Sequence, residues 1–262
     1  MITFASFVPH SPILIPEVGK ENLAKLKETI EAYKDLEHAL YSSKPDLVIV
    51  ISPHTNKGAE FFTINQQPKL KLNFKNFGDL VTKLEFDNDI GLGYQIKESC
   101  EDYFPIMLTS NKELDYGTGV PLLYLMEHLP NTKIISIGYA DLPYQDHIKF
   151  GELIRKQINL ADKRVAIIAS GDLSHKLHKD SPAGYSDRAQ EFDQTIIKLL
   201  NNNQIDDIIN IDKKLVSEAG ECGLRSLLIL LGAIKEMNYQ PEKLSYQAPF
   251  GIGYLVENFE IK

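Results

Sequence analysis

The chain has 262 residues, 43% of them hydrophobic and 24% charged, and a formal net charge of −8 from 28 Lys+Arg against 36 Asp+Glu. This balance excludes wholesale disorder, and the acidic pI near 5.4 argues against nucleic acid or an anionic membrane as partner, since phosphate-rich surfaces call for clustered Lys and Arg. No apolar run reaches the ~18 residues of a membrane span, the start Met1–His10 has neither the basic region nor the cleavage site of a secretory signal, and Cys100 and Cys222 alone make no disulfide framework, so a cytoplasmic, single-domain protein over 1–262 is expected.

Ile2–Val8 reads as the first strand. Leu23, Leu26, Ile30, Tyr33, Leu36 and Leu40 then recur at steps of three and four, the stripe of one long helix. Asp46–Ile51 is a continuous β-branched run, typical of a strand buried on both faces. Glu60–Gln66 and Thr82–Phe86 are weaker strands flanking a Lys/Asn-rich polar segment, and Phe104–Leu108, Lys133–Ile137 and Arg164–Ala169 are further buried strands. Helical patterns cover 88–102, 118–128, 144–160, 187–201 and 218–237, and Lys243–Gln247 and Gly251–Val256 flank a turn at Ala248-Pro249-Phe250. This alternation predicts an α/β fold with a central, mostly parallel sheet covered by helices on both faces.

Three of the seven histidines share one structural address. His10, His54 and His175 each follow a predicted central strand closely, in loops stiffened or turned by Pro or Gly. If those strands are parallel, all three loops emerge at the carboxyl edge of the sheet, where open α/β folds bind ligands. His38, His128 and His147 have no such setting, and His178 lies three residues beyond His175, either supporting it or solvated. A metal site needs a third donor, and Glu218, Glu221 and Cys222 are spaced to share one face of the helix predicted over 218–237. Acidic residues in a first helical turn also serve as ordinary dipole partners. HExxH, GxSxG, phosphate-loop and GxGxxG motifs are absent.

Val8-Pro9-His10-Ser11-Pro12, Ser52-Pro53-His54, Leu114-Asp115-Tyr116-Gly117-Thr118, Gly171-Asp172-Leu173-Ser174-His175 and Glu221-Cys222-Gly223-Leu224-Arg225 occur in that order, before a closing Ser245–Tyr254 segment. This ordered set resembles the catalytic chains of the class III extradiol ring-cleavage dioxygenases, in the branch that includes Memo-like and AmmeMemoRadiSam proteins. The resemblance implies non-haem Fe(II) held by His10, His54 and Glu221, with His175 as acid/base and a small aromatic diol plus O2 as substrates. It also implies that Tyr116, where the family commonly has His, touches substrate or oxygen; Asp172 and His178, beside His175 in sequence, are further candidates to contact substrate or support the site.

Two imidazoles and a carboxylate leave adjacent coordination positions for a chelating catechol and O2, and a near-neutral histidine suits the proton transfers. Tyrosine at 116 is a poor base at neutral pH. Aligned on Cys-Gly, the Memo-like branch puts a cysteine ligand at Cys222, which favours Zn or Cu over Fe(II). Cys222 and Glu218 are therefore alternative third ligands. Two other functions compete: a metal-dependent hydrolase using Asp172 or Glu221 as base towards a Zn-bound water, and a non-catalytic Memo-like protein with AMMECR1-like and radical-SAM pathway partners. A homodimer is the default assembly.

Overall fold

The computed structural model describes residues 1–55 and 59–262. Along the chain come β1 (Ile2–Val8), α1 (Pro16–Gly19), α2 (Lys27–Ser42), β2 (Leu47–Ser52), β3 (Phe62–Asn65), β4 (Lys69–Phe74), β5 (Asp79–Asp87) and α3 (Ile90–Cys100). Then follow β6 (Ile106–Thr109), α4 (Tyr116–Leu125), β7 (Lys133–Gly138), α5 (Tyr144–Leu160), β8 (Val165–Ser170) and α6 (Ala189–Asn201). The chain closes with α7 (Ile205–Ile209), α8 (Lys213–Ala219), α9 (Leu224–Ile234), β9 (Tyr239–Gln247) and β10 (Tyr254–Ile261).

Eight strands form one sheet in the order β6-β3-β7-β2-β8-β1-β10-β9. The central strands β7, β2, β8 and β1 are mutually parallel, whereas β10 returns antiparallel beside β1 and β3 lies antiparallel to β7. Every residue of β2 and β8 is buried, because both faces of the sheet are covered. Ile49, Ile51, Ile167 and Ala169 enter the core beneath α5 and α9, while Val48, Val50, Ala166 and Ile168 enter the core beneath α2 and α4. The alternating side-chain direction of a strand thus builds two cores from one apolar run. Among the described residues no helix is long and apolar enough to cross a membrane.

Besides the short helices α1 and α7, which the sequence reading did not include, the structure departs from the sequence expectation in three places. The polar segment after β3 is a strand: Leu70, Leu72 and Phe74 are buried while Lys69 and Lys71 are exposed, and β4 pairs antiparallel with β5 as a separate two-stranded sheet. The last two strands extend to Tyr239 and Ile261, and Gly251–Gly253 belongs to the connection between them. The single helix expected over 218–237 is two helices, α8 and α9, separated by Gly220–Gly223. Gly220 takes φ +66, the left-handed conformation that ends α8, so Glu218, Glu221 and Cys222 share no helical face.

Glu257 on β10 is fully buried, and neither carboxylate oxygen has a hydrogen-bond partner among the described residues. Burial pushes its carboxyl up to about 8. A carboxyl raised in the folded state stabilises the fold below its unfolded value, and that contribution is lost as pH rises through the folded value. Stability should therefore decline between about pH 4.5 and about pH 8. Glu257→Gln should be the more stable protein at pH 8.5, by ~2 kcal/mol, because its side chain carries no charge to desolvate. Urea titrations at the two ends of this range should show the difference only at the alkaline end.

Candidate metal centre

Because β1, β2 and β8 run parallel, their carboxyl ends lie at one edge, and the loops leaving that edge carry His10, His54 and Asp172–His175. The side chain of His10 is buried, with Nε2 3.0 Å from Nε2 of His54 and 3.5 Å from Sγ of Cys222. The donor atoms of His10, His54 and Cys222 lie within 4.8 Å of one another, as do those of Asp172, His175 and Cys222. Five side chains from four loops thus converge, with the Cys222 sulfur common to both groups.

Cys222 arrives through a tight backbone crossing. A Cβ on Gly171 would sit 2.1 Å from Cα of Gly223, so only two glycines allow the segments after β8 and before α9 to touch here. Across that contact the amides of Cys222 and Gly223 donate to the carbonyl of Asp172 at 3.3 and 3.1 Å, and the Asp172 amide donates to the Cys222 sulfur at 3.3 Å.

The neighbouring Glu221 goes elsewhere. Its carboxylate accepts from the Leu224 amide at 2.6 Å, capping α9, and it lines a cavity of about 510 Å³ with Asp141, Tyr144, Lys213 and Arg225. Of the two adjacent side chains it is Cys222 that joins the histidines. Glu218 is also remote from the cluster, ion-paired with Arg188 at 3.2 Å. The side chain of His178 is largely exposed beside Asp180.

A half-buried network holds the loops in place. Asp115 caps α4 through the Thr118 amide at 3.0 Å, and its carboxylate also accepts from Ser52 Oγ at 2.5 Å, Thr55 Oγ1 at 3.0 Å and Thr118 Oγ1 at 2.8 Å. Ser52 Oγ in turn accepts from the His54 amide at 3.2 Å. One carboxylate therefore ties the β2 loop to the first turn of α4. Tyr116 in that turn stacks on His54 with ring centres 4.3 Å apart and meets His10 edge-on at 5.6 Å. The Asp172 carboxylate accepts from the His10 amide at 3.0 Å. Ser52, Asp115 and Ser170 were not singled out from the sequence. The Asp115-x-x-Thr118 spacing, a helix-capping pattern, is a sequence signal that could have drawn attention to Asp115.

Burial dominates the electrostatics. It holds the His10 imidazole well below its usual value, helped by the charges of His54 and His175, so the ring is neutral and able to donate a lone pair. Burial also pushes the Asp172 carboxyl up to about 7 and that of Glu221 to about 6. Tyr116 is raised by burial and by the neighbouring Cys222 and Asp172, so it stays a neutral phenol that can donate a hydrogen bond. Imidazole nitrogens, a cysteine sulfur and a carboxyl group fit a divalent transition metal, which would offset the cost of burying the acidic groups.

Residues 4–257 match the family described as the catalytic LigB subunit of aromatic ring-opening dioxygenase. The chain belongs to that family. It is 30% identical over 263 residues to protein CA_C1420 of Clostridium acetobutylicum, covering 97% of this chain but only 56% of that relative's length. It is 24% identical to the 3,4-dihydroxyphenylacetate 2,3-dioxygenase of Escherichia coli, over 89% of this chain and 90% of that enzyme. The 2-aminophenol 1,6-dioxygenase beta subunit of a Pseudomonas species is 21% identical, over 97% and 92%. In fold, the chain is similar to the crystal structure of the uncharacterized protein JW3007 of Escherichia coli K12, with a TM-score of 0.71, 16% identity and coverage of 98% of this chain and 99% of the other.

Proposed function

We propose that this LigB-family chain is an Fe(II)-dependent extradiol-type dioxygenase that opens the ring of a catechol-like or related small aromatic substrate with O2. The observation that carries this reading is the LigB-family match over residues 4–257 together with the meeting of His10 and His54 at the carboxyl edge, with Asp172 and His175 beside them. His10 and His54 are the imidazole ligands. Cys222 is the third ligand by proximity, in place of the Glu221 favoured from sequence, whose carboxylate is engaged at the α9 cap. Fe(II) held by His10, His54 and Cys222 would supply open coordination positions and the redox chemistry that ring opening with O2 needs.

The remaining chemistry belongs to the chain. His175 takes a phenolic proton from the substrate and returns it to the opened product. Asp172 anchors the His10 loop through the backbone amide. Tyr116, packed on His54, offers its hydroxyl to a substrate or oxygen atom but cannot serve as base. Its burial among other rings helps keep water from the reacting atoms.

Protein loaded with Fe(II) under nitrogen and given O2 with a panel of catechols should consume one O2 per ring opened. No uptake across the panel would refute the reading. In the same preparation Cys222→Ser should weaken metal binding at least tenfold, on the order of 1.4 kcal/mol. Glu221→Gln should retain the metal and lose about 1 kcal/mol of stability with the weakened cap.

The sulfur donor and Tyr116 also favour a second reading, a Zn- or Cu-binding Memo-like protein that serves an AmmeMemoRadiSam-type pathway with AMMECR1-like and radical-SAM partners. Tight stoichiometric zinc or copper without oxygen consumption would support it.

A further inference from the structure

The proline inside α4 has a consequence at the histidine pair. Pro121 lies four residues after Gly117, so the Gly117 carbonyl has no helical amide to accept from. That carbonyl instead accepts from the hydroxyl of Ser170, the last residue of β8, at 2.5 Å. Ser170 is fully buried and sits beside Val8 in the sheet register, two residues before His10. Its Oγ has a second neighbour, Nδ1 of His10 at 2.9 Å.

A serine hydroxyl carries one proton. A carbonyl can only accept, so that proton is committed to Gly117, and towards His10 the oxygen can only accept. Nδ1 must therefore carry the ring proton, and in a neutral imidazole Nε2 is then the lone-pair atom. Nε2 is the atom directed at His54 and at the Cys222 sulfur.

We infer that Ser170 is a positioning residue which locks His10 in the Nδ1–H tautomer and so presents Nε2 as the metal-directed donor. The helix-internal Pro121 enforces the direction of the hydroxyl by leaving Gly117 in need of a donor. The tautomer stands on hydrogen-bond geometry alone, while its use as a ligand rests on the metal-site reading above. Without the Ser170 oxygen the ring is free to carry its proton on Nε2, the form that cannot ligate through that atom.

The test is long-range 1H–15N correlation spectroscopy on metal-free protein labelled at histidine, together with Co(II) titration. Wild-type His10 should show a protonated Nδ1 and a bare Nε2. Ser170→Ala should shift the population towards the Nε2–H form and weaken Co(II) binding by about tenfold, the lower end of the usual cost of losing a hydrogen bond behind a ligand. Wild-type His10 found with its proton on Nε2 would overturn the inference without any variant, and so covers the case in which Ser170→Ala fails to fold. An unchanged tautomer and affinity in a folded Ser170→Ala would also overturn it, while leaving the dioxygenase reading intact. A tautomer that responds as described in a protein that binds no Co(II) would instead refute the metal site and leave the Ser170 assignment standing.

Discussion

His10→Ala should abolish metal loading, lowering affinity by about a thousandfold, equivalent to ~4 kcal/mol, and removing the proposed ring cleavage with it. His10 is the hub of the cluster, in reach of both His54 and Cys222, and it is buried, so water cannot readily substitute for the lost donor. The truncation also strips the ring partner from Ser170, leaving a buried hydroxyl with one of its two contacts. His178→Ala is the matched comparison, because that side chain is mostly solvated beside Asp180. Elemental analysis after dialysis against Fe(II) or Zn(II) should show about one ion per chain for wild type and His178→Ala, and almost none for His10→Ala. Full metal content in His10→Ala would refute the proposed ligand set.

Gly171→Val should damage stability and site together. The added Cβ would lie 2.1 Å from Gly223 Cα and 3.1 Å from Phe7, within a contact that has no side chain to yield on the Gly223 side. Overpacking of this kind costs about 2–3 kcal/mol, or a fall in Tm of roughly 5–10 °C for a domain of this size. The same displacement separates the Asp172 backbone from Cys222 and withdraws the sulfur from the histidines, so metal affinity should fall in the fraction that remains folded. Gly91→Ala provides the contrast, since its added Cβ would find only Asp89 Oδ1 at 3.7 Å. Calorimetry should show Gly91→Ala unchanged or slightly stabilised, as expected for alanine in a helix. Equal melting of the two variants would show that the crossing tolerates more room than its geometry allows.

Several elements were legible in the sequence because local pattern and tertiary environment agree. The short apolar runs at β2 and β8 read as strands buried on both faces and are so, and α5 spans the range its periodicity marks. β4 was missed because its alternation is carried by Lys-Leu-Lys-Leu among polar neighbours, and a two-stranded hairpin buries only one face. The break between α8 and α9 was missed because Gly220 and Gly223 are tolerated in a helix at modest cost, so the apolar periodicity reads across them. That break decides which of two adjacent side chains reaches the histidines.

The sequence by itself determined the α/β architecture and the edge from which His10, His54 and His175 emerge, because a strand's burial and the loop that follows it are local properties of the chain. Only the tertiary structure decided that Cys222 meets the histidines while Glu221 caps a helix, and that a proline in α4 bears on a proton of His10 through Ser170. These outcomes depend on contacts between segments more than a hundred residues apart for Ser170 and His10, whose approach is set by glycine-sized gaps and by which backbone groups remain unpaired. Neither quantity is expressed in the order of residues until the segments are packed.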